Sequence, residues 1–314
     1  MLGRGPILAA AHSRRVRDLM TTAPVTAGVV RRFVAGDNDA AALSVAAALA
    51  ARGLTVSLDL LGEDTTDRAG ARTAAHAYVV LLDGVAASGL AGSVEASVKL
   101  SALGARIDPA MALEHARLVC AAARDAGTTV TFDAEDHTTT DLTLAVVRDL
   151  RRDFPGVGAV VQAQLRRSEG DCRDLAGPGS RVRLCKGAYA EPASVAFTAR
   201  RAVAASYARC LGVLMAGDGH PLVATHDPAL IDLTLRLADR FRPAVGGAPP
   251  GAEGYEFQML YGVRPLEQNR LAAQGHPVRV YVPYGSEWYP YLMRRLAERP
   301  ANLTFFLRSL RGDA

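Results

Sequence analysis

Lysine is all but missing. Of the 36 basic residues in this 314-residue chain, only Lys99 and Lys186 are lysines and the rest are arginines. The 32 acidic residues leave a formal net charge of only +4, and no dense Lys/Arg run is present, so a nucleic-acid-binding surface is not expected. Cysteine is scarce too. Cys120, Cys172, Cys185 and Cys210 form no Cys-x-x-Cys spacing and have no paired histidines nearby, which argues against a metal site or a disulfide framework and for reduced core thiols. No apolar run reaches about eighteen residues without a charge, so no transmembrane helix is expected. Residues 1–12 hold one arginine and a short apolar stretch, too weak for a secretory signal. The expected compartment is the cytoplasm.

What is present is a large apolar fraction, 49%, and a repeated change of period. Residues 13–52 read as helices, with Ala41–Ala51 nearly all Ala, Leu and Val and Gly53 ending the run. Eight strand candidates follow: Leu54–Leu61, Val94–Leu100, Thr128–Asp133, Val157–Gln162, Arg181–Lys186, Leu222–Thr225, Gly254–Met259 and Val278–Val282. Helical stretches separate them: 68–85, 109–126, 138–152, 169–176, 193–215, 228–241 and 265–274. A helix to Arg299 follows the last strand, and Asn302–Leu310 reads as a terminal helix. Eight strands each followed by a helix predict an α/β fold, a (β/α)8 TIM-type barrel with extra N-terminal helices. No Gly-x-Gly-x-x-Gly follows the first strand, as a doubly wound dinucleotide fold would show. The expected organisation is an N-terminal helical segment over residues 1–53 packed on a barrel over 54–314. Pro243–Gly254, rich in Gly and Pro, reads as a loop.

In such barrels the chemistry sits at the C-terminal ends of the strands. In order, those ends carry Gly62-Glu63-Asp64, Lys99, Asp133-Ala134-Glu135-Asp136-His137, Gln162, Arg183 with Lys186-Gly187-Ala188-Tyr189, Thr225-His226-Asp227, Glu256 with Gln258, and Tyr281. A polar group buried without a partner costs about 1–3 kcal/mol, so polar residues at all eight ends point to a sizeable polar ligand. In the final helix Tyr291, Arg294, Arg295 and Glu298 share one face at i, i+3, i+4 and i+7. A guanidinium pair there suits a small carboxylate, which each fork can bond with two prongs. Blander roles compete. Lys99 alternates with Val98 and Leu100 and could simply pair with Asp133 in a barrel layer. Asp133 and His226 could each cap a helix. Asp136 and His137 read equally as an acid–base pair or a helix start. Gly187 is either a turn or bare backbone for a ring or phosphate.

Five of these motifs, in order, resemble the proline dehydrogenase family in its monofunctional bacterial form: Asp133-Ala-Glu, Arg183-Leu-Cys-Lys-Gly-Ala-Tyr189, Ala224-Thr-His226, Glu256-Phe-Gln-Met-Leu-Tyr-Gly262 and Tyr291-Leu-Met-Arg294-Arg295-Leu-Ala-Glu298. The resemblance spans about Leu54 to Leu310. It implies noncovalent FAD at the strand ends and oxidation of L-proline to 1-pyrroline-5-carboxylate by hydride transfer to flavin N5. It further implies that Arg183 lies near N5 and Gln162 at the pyrimidine edge. Ala134, Lys186, Gly187, Ala188 and Tyr189 would line the flavin and its phosphate chain, and Thr225 and His226 would hold the pyrophosphate and adenosine end. Lys99, Arg294 and Arg295 would cradle the proline carboxylate, with Asp133 beside them, Tyr281 and Tyr291 near the ring, Glu298 orienting an arginine and Glu63 as a gate. A quinone is the implied electron acceptor, with at most peripheral contact with the inner face of the cell membrane. Ala190, where the bifunctional form often has tryptophan, and Asp227, asparagine in some relatives, depart from the pattern. The residues alone leave two other readings open: an aldolase with Lys99 or Lys186 as Schiff-base lysine, and a non-enzymatic anion-binding barrel.

Overall fold

The computed structural model describes residues 24–62, 65–242 and 254–298, and the side chains of all of these except 24–27, 29 and 294–298. Two helices, α1 (Pro24–Phe33) and α2 (Asp39–Ala50), lead into β1 (Thr55–Leu60). Then come α3 (Arg68–Ala87), β2 (Val94–Val98), α4 (Pro109–Asp125) and β3 (Val130–Phe132). A 3-10 turn (His137–Thr139) precedes α5 (Thr140–Leu150), β4 (Gly158–Gln162), α6 (Ser168–Leu175) and β5 (Arg181–Cys185). The chain continues through α7 (Arg200–Ala216), β6 (His220–Ala224), α8 (Pro228–Phe241), β7 (Glu256–Leu260), α9 (Pro265–Ala273), β8 (Val278–Tyr284) and α10 (Trp288–Glu298). The eight strands close in sequence order, all parallel, and β1 meets β8 from Thr55↔Arg279 to Leu60↔Tyr284. The expected (β/α)8 barrel with N-terminal helices is the observed fold. The helices expected before residue 24, the loop over 243–253, the terminal helix and Glu63 lie outside the described residues.

Local chemistry sets the helix starts. Asn38, Asp67, Asp108 and Asp227 each accept a backbone N–H of the first turn, and Pro109 and Pro228 follow two of these caps. One boundary differs markedly from expectation. Residues 193–199 are not helical, because this stretch pairs with the loop after β4: Phe197 N–H donates to Gln164 O (2.7 Å) and Arg166 N–H to Val195 O (2.9 Å). β8 also runs two residues past Val282, through Pro283. Beyond Tyr281 its only strand partner is β1, so proline's missing N–H falls on the margin that β7 has left, where Ala35 N–H donates to Pro283 O at 2.9 Å.

The outward faces of the strands are apolar and pack under the helices, as Val56, Leu58, Ala96, Val98, Phe132, Val182, Leu184, Phe257, Val280 and Val282 do. The inward faces are polar. Ser57, Asp59, Glu95, Ser97, Lys99, Thr131, Asp133, Arg183, Glu256 and Gln258 are all buried and follow the two-residue alternation of a strand. A smaller apolar cluster of Phe33, Val34, Leu61, Trp288, Tyr289, Tyr291, Leu292 and Met293 ties α10 to the end of α1 and to the strand-end mouth.

Candidate active site

Arg183, on the inward face of β5, is the hub of the barrel interior. Its Nη1 donates to Asp133 Oδ1 (2.5 Å) and Ser97 Oγ (2.8 Å), its Nη2 to Ser57 Oγ (3.2 Å) and Glu95 Oε1 (3.3 Å), and its Nε to Gln258 Oε1. Burial alone would weaken its hold on the proton, but Asp133 and Glu95 reverse that and raise its pKa further. Toward the mouth, Asp133 Oδ2 accepts the Tyr281 hydroxyl at 2.7 Å. Burial, then the Asp133 charge, pushes the Tyr281 pKa well above its ordinary value, so the phenol stays a donor. The Arg183 guanidinium lies 5.3 Å from the Tyr281 ring centre.

Lys99 does not take Asp133 as its main partner. Its ammonium donates to Asp59 Oδ1 at 2.8 Å and stands 3.9 Å from Asp133 Oδ2. Asp59, 1% exposed, was not singled out by the sequence reading. Below it, Glu95 takes Arg181 at 2.8 Å, and Glu256 takes Arg279 at 2.7 Å. Burial would raise the Glu95 pKa, but Arg279, Arg181 and Arg183 hold it well below the usual carboxylate range. Among the described residues this interior set has four carboxylates (Asp59, Glu95, Asp133, Glu256) and four cations (Lys99, Arg181, Arg183, Arg279), a neutral sum. Its signal was legible. A strand of a parallel barrel, buried on both faces, should read as a continuous apolar run. Thr-Val-Ser-Leu-Asp-Leu, Val-Glu-Ala-Ser-Val-Lys and Arg-Val-Arg-Leu alternate instead.

The β4, β5 and β6 ends form a second part of the mouth. Gln162 is buried and donates to Glu135 O at 2.6 Å, with Ala134 beside it. Gly187 has φ +101°, and the Gln164 side chain lies directly where a β-carbon would stand. Ala188 is exposed, and Tyr189 O accepts from Gln164 Nε2 at 3.2 Å. Lys186 Nζ meets Asp227 Oδ2 at 2.7 Å. Thr225 Oγ1 accepts Asp227 N–H (3.1 Å), and His226 Nε2 accepts Leu260 N–H (2.9 Å), which leaves Nδ1 as the proton-bearing ring nitrogen. The capping roles weighed for Asp133 and His226 belong instead to Asp136 and Asp227. Asp136 starts the 3-10 turn, and His137 pairs with Glu191, which fastens the loop after β5 to the loop after β3. Tyr291 is buried in the α10 cluster. Arg294, Arg295 and Glu298 fall in the last turns of α10, and their side chains lie outside the described residues. A cleft of about 650 Å³ between the ends of α1 and the start of α9 touches neither Lys99, Asp133, Arg183 nor Tyr281.

The family model for proline dehydrogenase matches residues 42–308. The chain belongs to the proline dehydrogenase family. It is 38% identical to the proline dehydrogenase of Deinococcus radiodurans over 287 residues, covering 90% of each chain. It is 36% identical to proline dehydrogenase 1 of Bacillus subtilis over 281 residues, 89% of this chain and 90% of that one. Among solved structures, proline utilization A from Bdellovibrio bacteriovorus, inactivated by N-propargylglycine, superposes with a TM-score of 0.78 at 25% identity over 87% of this chain. The chain spans only 33% of that much longer protein. The chain is thus an oxidoreductase of the monofunctional bacterial type whose reaction is the dehydrogenation of proline, and its family works with a flavin. The donor set has the chemistry that such a cofactor requires. A buried amide (Gln162) suits the ring, and Arg183, whose five N–H groups are all engaged within the barrel, would reach it only by exchanging one of those partners. The Lys186 ammonium and the N-terminus of α8, which the Asp227 carboxylate shares, suit phosphates, and Gly187 makes the left-handed turn beside them against Gln164. No described helix is long and apolar enough to cross a membrane, and no described cluster of His, Cys, Asp or Glu could hold a metal ion.

Proposed function

We propose that the flavin is FAD, held noncovalently across the strand ends, and that the substrate is L-proline in its free-amine form. FAD, when bound, supplies the hydride acceptor at N5, and the product is 1-pyrroline-5-carboxylate. Arg183 and Gln162 would hold the ring. Ala134, Lys186, Gly187, Ala188 and Tyr189 would line the ring and phosphate chain, and Thr225 and His226 the adenosine end. The observation that carries this reading is the convergence of Arg183, Asp133 and Tyr281 in one hydrogen-bonded row at the mouth, with the Lys99 ammonium 3.9 Å from the same Asp133 carboxylate.

The chain's own contribution is placement and electrostatics. Because Lys99 and Arg183 are already matched by Asp59 and Asp133, the interior has, among the described residues, no surplus positive charge for a carboxylate. Arg294 and Arg295 on α10 would supply that surplus, their forks clamping the proline carboxylate while Glu298 orients one of them. Lys99 would add a directed N–H from within its ion pair. Tyr281 and Tyr291 would wall the ring, and Glu63 would act as a gate. A cationic surrounding disfavours the proline ammonium and so favours the reactive amine. Residues 1–53 would pack on the single catalytic barrel. A quinone would reoxidise the reduced flavin, and a cytoplasmic enzyme would meet it by peripheral contact at the inner membrane face.

The deciding experiment is an absorbance spectrum of the purified protein before and after anaerobic L-proline. Flavin bands that bleach are expected. Bands that persist would retain the flavin and remove proline as the substrate. A protein that is colourless and cannot be reconstituted with FAD would overturn the reading and favour a lysine Schiff-base enzyme.

A further inference from the structure

Lys186 and Asp227 sit at the ends of adjacent strands, β5 and β6, on the rim of the mouth. Their ion pair is 2.7 Å long, with side chains 41% and 35% exposed, so it is open to solvent. Pairs of that kind hold weakly and exchange readily. The two oxygens of Asp227 are divided. Oδ2 takes the ammonium, while Oδ1 caps α8 by accepting Ala229 N–H at 3.1 Å. One carboxylate therefore occupies both of the positive features at this rim, the ammonium and the N-terminus of a fourteen-residue helix. The Lys186 hydrogen bond is also the main reason that the Asp227 pKa is lowered, so the carboxylate is charged at any working pH.

We infer that Asp227 restrains cofactor affinity: its carboxylate competes with the cofactor's diphosphate for the Lys186 ammonium and repels it electrostatically at the start of α8. The inference rests on the proposed FAD site and adds the residue that weakens it. The geometry also supplies a clean test. Asp227→Asn removes the charge yet keeps an oxygen for the Ala229 N–H, since Asn and Asp cap helices equally well. Asp227→Ser, another good cap, serves as a second variant if the first folds poorly.

The measurement is the dissociation constant of FAD, read from the fluorescence released when each holoenzyme is serially diluted at low and at moderate salt. Asp227→Asn should bind FAD about fivefold more tightly, with the gain shrinking as salt rises. Lys186→Met should bind more weakly, and Asp227→Asn in the Lys186→Met background should gain less than it does alone. General damage to the rim cannot tighten binding, so the sign separates this role from a merely structural one. Unchanged or weaker binding in both Asp227 variants, with Lys186→Met still impaired, would overturn the inference and leave the FAD site standing. Unaltered binding in Lys186→Met would remove Lys186 from the cofactor and the inference with it. A wild-type chain that binds no FAD would overturn the proposed function itself.

Discussion

Asp59 and Lys99 show how much of this site depends on single buried charges. Removing one member of a buried pair leaves the other uncompensated, at a cost of about 3–5 kcal/mol. Asp59→Ala should therefore lower the urea midpoint substantially, whereas Asp59→Leu combined with Lys99→Met should recover much of the loss. Equal destabilisation in the single and double variants would show that the pair does not act as a unit. A second prediction concerns α10. Arg295→Ala or Arg294→Ala should raise the KM for proline steeply with flavin content unchanged, and an unchanged KM would remove the proposed clamp. At this scale the sequence was legible where a residue stood at a strand end, as Arg183, Asp133, Lys99 and Tyr281 do. Asp59, Glu95 and Arg279 went unassigned because they lie deeper, on strands read as core, and Glu256, although named at the seventh strand end, was given no role. Only the pairing across the barrel shows what they neutralise.

The loop after β5 is the element on which the cofactor reading turns. Gly187 at φ +101° leaves no room for a β-carbon beside Gln164, and the loop beyond is held by Glu191 through the His137 N–H at 2.9 Å. Gly187→Ala should fold but retain less flavin, because relieving the overlap moves either the loop or Gln164. Flavin content against protein content checks this, and full occupancy would mean that the backbone at Gly187 does not face the cofactor. After β7, Gly262 plays the matching structural part: Arg32 O occupies the space where its β-carbon would be, which lets α1 lie close over the strand ends. Periodicity found all eight strands and the helices between them. It misjudged residues 193–199, whose helical composition is overridden by pairing with Gln164 and Arg166, a long-range contact with no local signature. The rim ion pair of Lys186 and Asp227 was equally invisible, since it joins residues 41 apart in sequence that meet only when β5 pairs with β6.

For the whole molecule, the charge pattern predicts its response to acid. Burial lowers the pKa of His220 and His276, so each resists protonation when folded. The unfolded chain takes up those protons below about pH 6.5, and stability must fall as pH drops through that value. Glu169, Asp227 and Glu267 are held below the ordinary range first by hydrogen bonds from Arg209, Lys186 and Arg270 respectively. Their contribution persists above about pH 4 and is lost beneath it. Urea midpoints measured from pH 8 down to pH 3 should therefore be flat, then decline in two stages, the first absent when His220 and His276 are replaced by glutamine. Two of the thiols tell the same story of burial: Cys120 is pushed up to about 12 and Cys185 to about 11, so neither should react with iodoacetamide at neutral pH until the chain unfolds.

The near-absence of lysine acquires a practical meaning once both copies are located. One ammonium is sealed inside the barrel at 7% exposure, and the other stands on the rim against Asp227. Apart from the α-amino group, a succinimidyl ester has a single accessible amine to modify on this protein. A dye or tether delivered that way would write its mark at the mouth itself, and the rate at which it does so would report whether anything is seated there.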